Sequence, residues 1–262
     1  MQSIPYFEWP ATDNLVNCDM KRNVFYPLLL LLFSLLPSSC ENLSEIGLSN
    51  DEIVGGLKEA LNQGARVASE KLGVTDGFLA DQAVKILLPS EASSMIEKAY
   101  SIPGAELLLK PYLETVVEKM NRGAEKAATK AAPIFASAIT NMSFTDAMNI
   151  LKGDDTAATG YLRKTTLQPL TSEFAPEINS AMQEVGAASA WNTLFTEYNK
   201  YVNPVTSATL GLETVNPNLG EYATGKALNG LFLKVAGEEK EIRNNPAKRA
   251  TDLMKKVFKE QD

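Results

Sequence analysis

The stretch from Ser49 to Gly73 constrains the fold most. Ile53, Leu57, Leu61, Ala65, Ala68 and Leu72 recur at three- and four-residue spacing, which puts them on one face of an α-helix. Ser49 and Glu52 stand at capping-box spacing before that stripe, and Gly73 closes it. A helix over 51–72 is predicted, with one apolar face that must be buried against other elements.

The same grammar recurs down the chain. VKILLP at 84–89 is short and β-branched enough to be extended, and Ser90 then caps a helix reaching Tyr100. Pro103 and Gly104 break it, and Pro111 suits the first turn of the next helix, whose apolar positions are Leu113, Val116, Val117 and Met120. That helix is expected to continue through the alanines of 124–132 and to stop near Pro133, its small residues letting another helix approach. Ser143 with Asp146 opens a further helix that Gly153 closes. Helices are also predicted at 155–168, 170–185, 190–201, 219–243 and 245–259, the last with Pro246 in its first turn, whereas 202–218 is expected to be a long loop. The expected fold is all-α: a single multi-helix bundle-like domain over 51–262 with at most a short extended segment. No repeat of fixed period marks a solenoid.

The N-terminus carries a different signal. From Met20 the chain has Lys21 and Arg22, an apolar run from Leu28 to Leu36 broken only by Ser34, then Ser38 and Ser39 before Cys40. That is the plan of a secretory signal, too short to remain as a membrane-spanning helix. Residues 1–19 place Glu8, Asp13 and Asp19 ahead of the run with no Lys or Arg, so translation is expected to begin at Met20. LPSSC resembles a bacterial lipoprotein cleavage box, with Pro37 three before the cysteine where leucine is usual. The resemblance implies that 20–39 is a removable signal, Cys40 a lipid anchor and 40–50 a tether, in an exported envelope protein facing the periplasm. Two or three acyl chains on one residue, at about 0.8 kcal/mol per buried CH₂, make a durable anchor. With the leader gone Cys40 is the one cysteine left, so the domain is expected to hold together by packing alone.

Composition narrows the chemistry. The chain has no histidine, which excludes Ser/His/Asp and Cys/His nucleophile pairs and His-ligated zinc. Its net charge of −7 argues against nucleic acid as a partner. Carboxylate pairs, Lys or Tyr chemistry and oxygen-ligated cations survive.

Three ordered motifs, MNRGAEKAATKAAPIF (120–135), MSFTDAMNILKGDDTAATGYL (142–162) and KALNGLFLKVAGEEKEIRNNPAKRATDLMKKVF (226–258), resemble the bacterial family called domain of unknown function 4197. The likeness covers about 48–259. It implies a helical, exported protein and no assigned activity.

The polar members of those motifs are the candidate site residues. In GDDTAAT, Asp154 and Asp155 supply oxygen ligands at a helix start, but adjacent residues diverge and the calcium-loop pattern is absent, so helix capping is the plainer role. Asn121 and Glu125 share a helix face beside Arg122, and Glu239 and Arg243 share another. Joined with Arg163 of GYLRK, they would form one buried polar patch for an anionic ligand or partner; separate, they are ordinary helix pairs. The last helix is net basic, with an apolar stripe at Ala250, Leu253, Met254, Val257 and Phe258 that docks on the bundle or on an anionic membrane. No catalytic residue, cofactor or metal is assigned. The expected function is a lipid-anchored, non-enzymatic binding or structural module for a protein partner or small amphipathic ligand. The alternative is a His-free enzyme using carboxylates around Asp154 and Glu238, for which the acids must converge on one pocket.

Overall fold

The computed structural model describes residues 47–101 and 103–259; the leader, Cys40 and most of the tether lie outside the described residues. Among the described residues there are ten α-helices and no strands: α1 (Asn50–Leu72), α2 (Ser93–Tyr100), α3 (Ala105–Ala128), α4 (Ala131–Thr140), α5 (Phe144–Leu151), α6 (Ala157–Gln183), α7 (Ala187–Asn199), α8 (Pro204–Leu210), α9 (Leu219–Asn244) and α10 (Asp252–Val257). None is long and apolar enough to cross a membrane. The predicted capping box forms, Ser49 Oγ accepting from Glu52 N, and the Ser143–Asp146 pair expected to open a helix forms another, Ser143 Oγ accepting from Asp146 N.

Helix α6 is the axis of the domain. Helix α3 runs antiparallel to it, because Lys119 pairs with Glu184 while Lys130, eleven residues on, pairs with Glu177. Close approach comes from small residues: a Cβ at Gly123 would lie 2.7 Å from Ile178 Cα. Helix α9 is antiparallel to α6 on another side, with Glu239 beside Thr159 at one end and Gly220 beside Asn179 at the other. Helix α1 packs on α9, and α10 on α1, where a Cβ at Gly56 would lie 2.7 Å from Val257 Cγ2. Phe78, Phe135, Phe174, Phe195 and Phe232 are fully buried, and each such side chain contributes roughly 1.5–3 kcal/mol. Phe135 and Phe232 meet edge to face at 5.9 Å.

The differences from the sequence expectation are mostly at prolines. The two helices predicted at 155–168 and 170–185 are one, α6, which passes through Pro169 and Pro176. Leu162, Thr166, Leu170, Phe174, Ile178 and Met182 form an unbroken buried stripe at four-residue spacing, and both prolines lie on the exposed side, where water reaches the freed carbonyls. Pro111 stands inside α3, which starts six residues earlier after Gly104 (φ 82°). Pro133 does not end a helix: α3 stops at Ala128, and Pro133 falls in the first turn of α4, where the backbone N–H has no intrahelical partner to lose. The expected loop at 202–218 contains α8, opened by the Asn203 cap and Pro204. The helix expected over 245–259 divides into a 3₁₀ turn at Pro246–Lys248 and α10, capped by Thr251. Ala250 is accordingly exposed, while Met254, Val257 and Phe258 are buried.

Because Lys119 of α3 already meets the C-terminal cap of α6, residues 105–118 run beyond the end of α6 for about 21 Å of helix. They form a lobe with α2 and α7. The opposite end of α6 holds its N-terminus, the end of α5 and the C-terminal part of α9.

Candidate functional site

The predicted polar residues divide into two structural clamps and one separate arginine. The first clamp is on α3. Asn121 is fully buried; its Oδ1 accepts from Ile86 N at 2.9 Å and its Nδ2 donates to Ile86 O at 2.8 Å and Val117 O at 2.7 Å. The side-chain amide thus stands in for the missing strand partner of the segment expected to be extended. Glu125 Oε1 accepts from Phe78 N at 3.2 Å and Leu79 N at 3.1 Å, and Oε2 accepts from Arg122 at 2.8 Å. Arg122 also donates to Asp76, whose φ of 68° is in the left-handed region. Glu125, and then Asp76, hold the Arg122 guanidinium above its ordinary pKa. These groups fasten the segment between α1 and α2 onto α3.

The second clamp is on α9. Glu239 Oε1 accepts from Ala158 N at 2.9 Å, and Oε2 from Thr159 N at 2.8 Å and Thr159 Oγ1 at 2.7 Å. Thr156, the residue before α6, makes no side-chain capping bond, so a carboxylate from another helix satisfies these donors and meets the positive end of the α6 dipole. Arg243 pairs with Glu239 at 3.0 Å and donates to Ile150 O at 2.8 Å, capping α5. Both side chains are buried. Arg249, which the sequence did not single out, is buried too; it donates to Ile242 O and Arg243 O and closes the end of α9. A cavity of about 20 Å³, the size of one water molecule, lies against Glu239 and Arg243.

The single patch joining 121–125 with 239–243 is not what forms. The α3 face meets the 76–88 segment and the α9 face meets the α5–α6 turn, so each set is consumed by its own backbone. The carboxylates around Asp154 do not converge either. Asp154 is exposed and accepts from its own turn, Thr156 N and Oγ1 at 2.9 Å; that N–H, then the hydroxyl, hold it below the usual carboxylate range. Asp155 is exposed beside Asn244, and Glu238 turns toward Lys71 of α1. Among the described residues no three acidic or cysteine side chains are grouped to hold a metal. Arg163 is in neither clamp: it lies over the Phe232 ring at 4.5 Å and donates to Asn229 Oδ1 at 3.1 Å.

The lobe holds a feature the sequence reading missed. An apolar groove of about 160 Å³ opens between α2, α3 and α7, with Ile96, Leu109, Tyr112, Trp191 and Leu194 in its walls. Leu107 and Leu108 beside Leu109 are 80% and 77% exposed. The signal was present in ELLLKPYL, since three consecutive leucines at about 100° per residue cannot share one buried face. Trp191 Nε1 donates to Asn216 O at 3.0 Å, and Asn199 bonds both backbone groups of Val215, so α7 is fixed to the chain entering α9.

Comparison with curated proteins and with solved structures finds no match. A protein-family model does match, over residues 47–259, the whole span that the structure describes. The chain therefore belongs to the family described as protein of unknown function DUF4197.

Proposed function

We propose that this protein is a lipid-anchored component of the bacterial cell envelope, facing the periplasm, whose helical domain is a non-enzymatic binding module for a small amphipathic ligand. The apolar groove of the lobe carries this reading. At about 160 Å³ it matches the size of cavity that accepts a benzene-sized apolar group, and its walls are aromatic and aliphatic side chains. The apolar end of the ligand lies between Leu109, Tyr112 and Leu194, and its polar end stays in water. The acids support the non-enzymatic part: Glu125 and Glu239 spend their oxygens on backbone amides and a neighbouring arginine, and Asp154 on its own turn.

Binding is tested by following the fluorescence of Trp191 while decanoate and decyltrimethylammonium are titrated below their micellar concentrations. Saturable binding of both, lost in Leu194→Asp with helix content intact, is expected. A response that the Leu194→Asp protein shares would refute the groove. The anchor is tested by intact mass of the membrane form: an acylated Cys40 as the first residue is expected, and an unmodified Cys40 refutes it.

A further inference from the structure

A second groove, separate from the first and lined by apolar surface with charged and amide side chains among it, runs between α6 and the first half of α9, with a volume of about 420 Å³. Arg163 stands in its wall. Arg66, Arg122 and Arg243 each pair with a glutamate, whereas Arg163 makes no ion pair among the described residues. Its contacts are the Phe232 ring at 4.5 Å and Asn229 Oδ1, bonded through Nη1. Stacking and one tether restrict the side chain, while Nε and Nη2 keep free donors. That fork matches a carboxylate.

The groove has a second charged end. Glu221 lines it on the first turn of α9; its carboxylate accepts from Asn218 Nδ2 at 3.3 Å and has no Lys or Arg partner among the described residues. Glu221 and Asn229 are eight residues apart on one helix, about 12 Å along its axis. At the Glu221 end, across on α6 and beside Gly220, lies the Asn179 amide, which has no intramolecular hydrogen-bond partner among the described residues, and the apolar surfaces of Leu167 and Leu228 complete the wall. A Cβ at position 220 would lie 1.9 Å from Asn179 Oδ1, so Gly220 is what allows Asn179 its place.

A cation at one end and an anion with an amide beside it at the other, with apolar surface between the ends, fit a ligand with the opposite arrangement. In an extended free peptide of three residues the termini are about 10 Å apart, with amides between them. We propose that the α6–α9 groove binds a short free peptide, its C-terminal carboxylate on Arg163 and its ammonium on Glu221. This inference does not depend on the apolar groove.

The test is calorimetric titration of the full-length protein in mild detergent with trialanine, N-acetyl-trialanine, trialanine amide, acetate and inorganic phosphate. One-to-one binding of trialanine is expected, with either blocked form weaker by about tenfold or more, as loss of a charge-assisted hydrogen bond implies. Asn229→Asp gives Arg163 an internal partner and is expected to weaken trialanine similarly while leaving the melting temperature unchanged. Glu221→Gln is expected to abolish the preference over the acetylated peptide. No binding of trialanine at millimolar concentration, equal binding of the blocked forms, acetate or phosphate binding as tightly, or indifference to Asn229→Asp would each overturn the proposal.

Discussion

The two ends of α6 handle polar and apolar groups in opposite ways. At its N-terminal end Glu239, Arg243 and Arg249 are buried, and the backbone groups that end α5 and α9 and begin α6 are met by side chains from elsewhere. At its C-terminal end the lobe leaves Leu107 and Leu108 in water and keeps an apolar groove open. A buried charge must be fully satisfied to persist, so the first end has little freedom to change its partners. Exposed leucines carry no such requirement and gain by being covered. Charged residues drew attention in the sequence because their side chains carry chemistry, but here their burial marks structure and the apolar lobe is the more open to a partner.

This contrast can be broken at several points. The largest effect is expected from Arg243→Ala, which leaves Glu239 buried without its cation: a loss of about 3–5 kcal/mol in denaturant unfolding. Arg122→Ala on α3 is expected to cost less, about 1–3 kcal/mol, because Glu125 is buried but keeps the backbone donors of Phe78 and Leu79 when the partly exposed guanidinium is lost. A comparable loss for the two would remove the distinction between a pair buried at both ends and one whose cation reaches water. Asn121→Ala strands the backbone of Ile86, at roughly 1–3 kcal/mol for an unsatisfied buried group. Hydrogen exchange should then quicken at Ile86 while the amides of Ala158 and Thr159 stay protected, and equal loosening of both would mean that the clamps are one network. The smallest change is expected at the lobe, where Leu107→Gln with Leu108→Gln should alter stability by no more than about 0.5 kcal/mol. A large loss there would show those leucines to be part of the core.

Much of the fold was legible because its signals are local. The Ser49–Glu52 and Ser143–Asp146 boxes and the α1 stripe each need only a few neighbouring residues to form. The prolines misled for the same reason. Pro169 is a breaker by local rule, yet the buried stripe from Leu162 to Met182 gains enough from α3 and α9 to hold the helix through it. Of the site residues, Asn121, Glu125, Glu239 and Arg243 were identified as polar groups on shared helix faces, but their partners are backbone amides and carbonyls, which have no signature in sequence. Arg249 counts in the sequence only among the basic residues of the last helix for the same reason, and the groove between α2, α3 and α7 is assembled from segments that no spacing rule connects.

The helical class, the positions of most helices, the absence of histidine chemistry and the family are readable from the chain alone, because periodicity, capping residues, composition and motif order are properties of the chain read in a line. Which charges are buried and satisfied, that Arg163 has no acidic partner among the described residues, and where apolar surface stays exposed were set by the packing. Those depend on which helices cross, and crossing is set by close contacts such as Gly123 on α6 and Gly56 on α10, made between residues far apart in the chain.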